Sequence, residues 1–109
     1  MNTKTKQAAR DFLRRVEQRY DVADALLFGS QARADAHDTS DTDVAILLSG
    51  TPQSRVDIII DMAGVAFEVM LDTGILVEAL PIWISEWEHP EQFNNPALLA
   101  NIRREGIRL

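Results

Sequence analysis

The chain has no cysteine in its 109 residues, so it can form neither a disulfide framework nor a thiolate metal site. It has two histidines, His37 and His89, far apart in the sequence. Without further His or Cys they do not make a zinc centre, and both read as surface residues. Glycine and proline are sparse, five and four residues, which excludes low-complexity and collagen-like chains. No apolar run approaches the roughly 20 residues needed to cross a bilayer. The opening MNTKTKQAARDF lacks the apolar centre of a secretion signal, so the expected setting is the cytoplasm, with no membrane contact. Net charge is −6, with 17 acidic and 11 basic residues. That balance argues against direct nucleic-acid binding, which needs clustered Lys and Arg. It is compatible with a cation-dependent site or a basic protein partner.

Hydrophobic residues make up 46% of the chain and charged residues 26%, an ordinary balance for one compact domain spanning residues 1–109. Apolar periodicity predicts a helix over residues 3–20, with Phe12, Leu13, Val16 and Tyr20 facing the core. Ala25–Phe28 reads as a short buried strand. Residues 30–40 are small and polar, a loop that opens with at most one helical turn. Asp43–Leu48 is a second strand, closed by the turn Ser49-Gly50-Thr51-Pro52. A long helix is predicted over 53–72. Val56, Ile59, Ile60, Ala63, Phe67 and Met70 are expected on its core face, with Asp57, Asp61, Gly64, Glu68 and Asp72 opposite and Gly74 as the C-cap. Ile75–Ile84 reads as a third strand, whose Pro81 marks an edge or a bulge. PALLANIRRE reads as a last helix, with Pro96 in its first turn and Gly106 as its stop. In WISEWEHPEQF, Trp83 is expected in the core, and Trp87 and Phe93 lie either there or at an interface. The order predicts an α/β (α+β) domain, a small mixed sheet flanked by helices.

Chemistry concentrates in residues 27–48, LFGSQARADAHDTSDTDVAILL. Gly29 ends one strand and permits close approach to the main chain. A helical turn starting at Ser30 would turn free N–H groups toward an anion, with the Ser30 hydroxyl and Arg33 as further donors. Asp41 and Asp43 are two residues apart, so on a strand they share a face while Thr42 and Val44 point the other way. Two adjacent carboxylates repel, and a divalent cation relieves the repulsion. Mg²⁺ favours one or two carboxylates completed by water and substrate phosphate. Four such residues at this spacing arise by chance in roughly one chain in a thousand. A phosphate cradle and a metal clamp on neighbouring strands suit nucleotide chemistry.

Gly29-Ser30, ten residues, and then Asp41-Thr42-Asp43 resembles the signature of the DNA polymerase beta-like nucleotidyltransferase superfamily. The length and the segments LVEALPIW and NIRREGIRL resemble its small MNT-type branch, the minimal nucleotidyltransferases. One departure is visible: Ala34 stands where the family often has the last Gly of Gly-Ser-x-Ala-Arg-Gly. The resemblance implies the polymerase-beta-like nucleotidyltransferase fold. It also implies a nucleoside triphosphate donor, ATP, and Mg²⁺ held by Asp41, Asp43 and a third carboxylate. Glu78 is best placed for that third role, and the alternative for it is a solvated charge on an edge strand. Gly29, Ser30 and Arg33 would hold the nucleotide phosphates.

MNT-type proteins are commonly paired with helical HEPN proteins that act as RNase toxins. The resemblance therefore implies an antitoxin that transfers AMP to its HEPN partner, within a hetero- or homo-oligomer. Two other readings stay open: a non-catalytic antitoxin that binds its partner stoichiometrically, and a small-molecule transferase of the aminoglycoside type.

Overall fold

The computed structural model describes residues 3–29, 32 and 41–109. Helix α1 (Thr3–Glu17) leads into strand β1 (Val22–Phe28). Strand β2 (Thr42–Leu48) is followed by helix α2 (Arg55–Thr73) and strand β3 (Val77–Trp83). A short helix α3 (Ile84–Glu88), a 3-10 turn (Pro90–Gln92), helix α4 (Pro96–Glu105) and strand β4 (Ile107–Arg108) complete the order.

The four strands form one mixed sheet in the order β3-β2-β1-β4. β1 is antiparallel to β2 and β4, and β2 is parallel to β3. The parallel pair requires a crossover, and α2 supplies it. This arrangement has a consequence for the site. Parallel strands begin at the same end of a sheet, so β2 and β3 start together. The antiparallel β1 finishes at that end, and Gly29 lies beside the start of β2.

Side chains alternate across the strands, so the sheet has two apolar faces. Ala25, Leu27, Val44, Ile46, Leu48 and Val77 pack with Phe12 and Val16 of α1 and Met62 and Val69 of α2. Leu26, Ala45, Leu47 and Ile82 pack on the other face with Phe93, Leu99 and Ile102. The result is a three-layer domain. Trp83 is buried in the first cluster as expected, Phe93 is buried in the second, and Trp87 is half-buried beneath the Arg103 guanidinium.

Helix boundaries follow local chemistry. The Ser54 hydroxyl accepts the N–H of Asp57 at the start of α2. At its end Gly74 takes φ 77°, and its N–H donates to the Met70 carbonyl at 2.8 Å. Asn95 caps α4 by accepting from Leu98 N–H, with Pro96 in the first turn. Pro81 sits inside β3, which is tolerated because β3 is an edge strand.

The expected core face of α2 is corrected by the structure. Ile58, Met62, Val65, Ala66 and Val69 face the sheet. Val56, Ile60, Phe67 and Leu71 are 65, 65, 53 and 68% exposed. The helix carries two apolar stripes, and periodicity alone does not rank them. The acidic row is turned toward α1. Asp61 meets Arg19 and the Tyr20 hydroxyl, and Asp72 meets Arg15, all contributed by α1 and the residues following it. With this row turned toward α1, the smaller stripe falls on the sheet and the bulkier one faces outward.

Thr42 is wholly buried on the α1/α2 side, and its hydroxyl has no hydrogen-bond partner among the described residues. An unsatisfied buried hydroxyl costs free energy that an isosteric methyl does not. Thr42→Val is expected to raise stability by about 1 kcal/mol in urea unfolding. A loss of stability would show that the hydroxyl is satisfied after all.

Candidate active site

Asp41 lies immediately before β2 and is exposed. Asp43, two residues on, is half-buried and sits on the strand face that continues through Ala45 and Leu47. In the β2–β3 register Asp43 lies directly beside Glu78, and Thr42 beside Val77. Glu78 therefore shares its face with Asp43 at the open end of the sheet, beyond the part covered by α4. The N–H of Thr42 donates to the Leu76 carbonyl at 3.0 Å, which ties the start of β2 to the residue before β3.

Three carboxylates meet there. Glu78 hydrogen-bonds to Asp41, and this contact holds its carboxyl above the ordinary 4.5. Partial burial and the neighbouring charges of Asp41 and Asp43 push in the same direction. The three carboxylates repel one another, and a bound cation would relieve that repulsion. Among the described residues, no three His, Cys, Asp or Glu side chains form a preset metal cage. A cluster of hard oxygen donors nevertheless fits Mg²⁺, which takes few protein ligands and fills its remaining positions with water and phosphate.

Gly29 closes the site from the β1 side. Its φ is +74°, and a Cβ placed on it would collide with the Asp43 carboxylate. Glycine is therefore required twice, for the backbone angle and for the approach of the carboxylate. The Ala32 N–H donates to the Gly29 carbonyl at 3.2 Å. Ser30, Arg33 and His37 lie outside the described residues. Of the residues singled out from sequence, the structure brings together Gly29, Asp41, Asp43 and Glu78. The sequence reading missed Leu76, whose carbonyl fixes the start of β2. Backbone contacts of this kind leave no sequence pattern.

The sign of the Glu78 shift leads to a prediction. A carboxyl raised in the folded state contributes stability below its unfolded value, and that contribution disappears as pH rises through the folded value. At neutral pH the ionised cluster thus opposes folding when no cation is bound. Glu78→Gln is expected to raise the melting temperature of the metal-free protein at pH 7–8, with the difference shrinking toward pH 4. Melting curves in a chelator across that range test it, and a constant difference would contradict it.

An α/β sheet with paired carboxylates opposite a glycine turn defines a nucleotidyltransferase-like domain. The family model described as "Polymerase beta, Nucleotidyltransferase" matches residues 12–82. The chain belongs to the polymerase beta nucleotidyltransferase family. No curated protein matches it. Among solved structures it is similar to one from Sulfolobus solfataricus, described as a "putative nucleotidyltransferase". That match has a TM-score of 0.58 and 16% identity, and it covers 99% of this chain and 87% of the other. At that identity the likeness concerns the fold. Nucleotidyl transfer is the activity that the family assigns to this domain.

Proposed function

We propose that the chain transfers AMP from ATP to a hydroxyl on a partner protein, with Mg²⁺ held by Asp41 and Asp43. The observation that carries this reading is the meeting of Asp41, Asp43 and Glu78 at one end of the sheet, against Gly29. When bound, Mg²⁺ draws charge from the phosphate oxygens. Asp41 and Asp43 set the position of the α-phosphate. The acceptor oxygen bonds to the α-phosphorus, the bond from that phosphorus to the bridging oxygen of the β-phosphate breaks, and pyrophosphate leaves. Glu78 stands beside them as a third ligand or takes the hydroxyl proton. The turn after Gly29, with Ser30 and Arg33, carries the remaining phosphates.

The partner we propose is a HEPN-type toxin, with this chain as its antitoxin. That choice rests on the likeness to MNT-type proteins, and the acidic balance of the chain is compatible with it. The test incubates chain, co-expressed helical partner, Mg²⁺ and ATP labelled in the α-phosphate. The expected result is covalent label on a partner hydroxyl amino acid, lost with Asp43→Asn. A tight complex that neutralises the partner with no label would replace transfer by stoichiometric binding.

A further inference from the structure

The outward stripe of α2 has no counterpart among the described residues. Val56, Ile60, Phe67 and Leu71 project from it, with Ile59 39% exposed beside them. Ala63 and Gly64, both exposed, lie at its middle. An exposed glycine inside a helix lowers helix stability, and here nothing lies within 4 Å of the position its Cβ would take. No packing need among the described residues accounts for Gly64.

The pattern along the stripe is symmetric. Reading outward from the Ala63–Gly64 bond, small residues come first, then Ile60 and Phe67, then Val56 and Leu71. A twofold axis through that bond, with two α2 helices antiparallel, sets Ile60 against Phe67 of the partner subunit. It sets Val56 against Leu71 of the partner subunit in the same way. Each contact then occurs twice, as an isologous interface requires. The small residues fall at the axis, where they let the two helices approach closely.

Size and charge agree with a second copy as the occupant. Nineteen residues of helix extend about 28 Å, and burying a stripe of that length removes on the order of 1,000 Å² for the pair, where specific interfaces begin. The acidic row beside the stripe is largely answered within the chain, since Arg15 reaches Asp72 and Glu68, and Arg19 reaches Asp61. The seam that remains is apolar.

We infer that the chain forms a twofold dimer through the outward face of α2, centred on Ala63 and Gly64. The carboxylate cluster lies on the face of the sheet away from α2, so the dimer leaves it open. The inference stands apart from the catalytic reading, because its test needs neither nucleotide nor partner.

Sedimentation of the full chain up to about 100 µM is expected to give twice the chain mass, with association that persists in high salt. Gly64→Arg has open space in the monomer and is expected to keep the native circular dichroism spectrum while sedimenting at the chain mass. Because the chain has no cysteine, disulfides report geometry directly. Val56→Cys combined with Leu71→Cys should cross-link two copies on mild oxidation, whereas Val56→Cys alone should not. A single-chain mass throughout the concentration range would overturn the inference. So would a dimer that Gly64→Arg leaves intact.

Discussion

Asp43→Asn is expected to lower nucleotidyl transfer by about 10³-fold or more while the domain stays folded. Asn keeps the shape of Asp and removes its charge, so the β2–β3 pairing has no steric reason to change. What is lost is half of the carboxylate pair that holds the cation, along with its effect on the transferred phosphate. The same substitution removes one of the charges that push the Glu78 carboxyl upward. The metal-free variant should therefore melt no lower than the parent. Mg²⁺ with a non-hydrolysable ATP analogue should raise the parent's melting temperature and not the variant's, because a ligand stabilises only the state that binds it. Two readouts then move in opposite directions, activity down and metal-free stability level or up, which a damaged fold cannot imitate. Transfer within tenfold of the parent by a folded Asp43→Asn protein would remove Asp43 from the reaction.

The site was legible because its parts are local in sequence. Asp41 and Asp43 share a face by the two-residue period of a strand, and Gly29 lies one position after β1. Glu78 was legible as an acidic residue within an apolar strand. Its pairing with Asp43 depends on the parallel register, which the crossover helix sets and no short motif encodes. The rotation of α2 was misjudged for a related reason. Both of its faces are apolar at helical spacing, and the one that packs on the sheet is the one that sets the acidic row beside Arg15 and Arg19 of a different segment. Strand β4 escaped notice because two residues, Ile107 and Arg108, carry no periodicity. They pair only because Gly106 delivers them to the free edge of β1.

Arg55→Ala is expected to cost about 3 kcal/mol and to lower the melting temperature by roughly 10–20 °C. Arg55 begins α2 and reaches three separate groups. One nitrogen donates to the Pro81 carbonyl at 2.7 Å, another pairs with the Glu86 carboxylate, and the guanidinium lies 5.0 Å from the centre of the Phe93 ring. Glu86 is 8% exposed and also accepts the Trp83 N–H at 3.0 Å, which joins the end of β3 to α3. Deleting the arginine leaves a buried carboxylate without its cation, and that residue, more than the lost attraction, accounts for most of the cost. Neutralising the partner should therefore repair the damage. Glu86→Gln still accepts from Trp83, so Arg55→Ala with Glu86→Gln is expected to be more stable than Arg55→Ala alone. Urea unfolding of the two single variants and the double variant measures this coupling. If the effects simply add, the charge of Glu86 is not what Arg55 answers, and the clamp would be one of packing against Phe93 and Pro81.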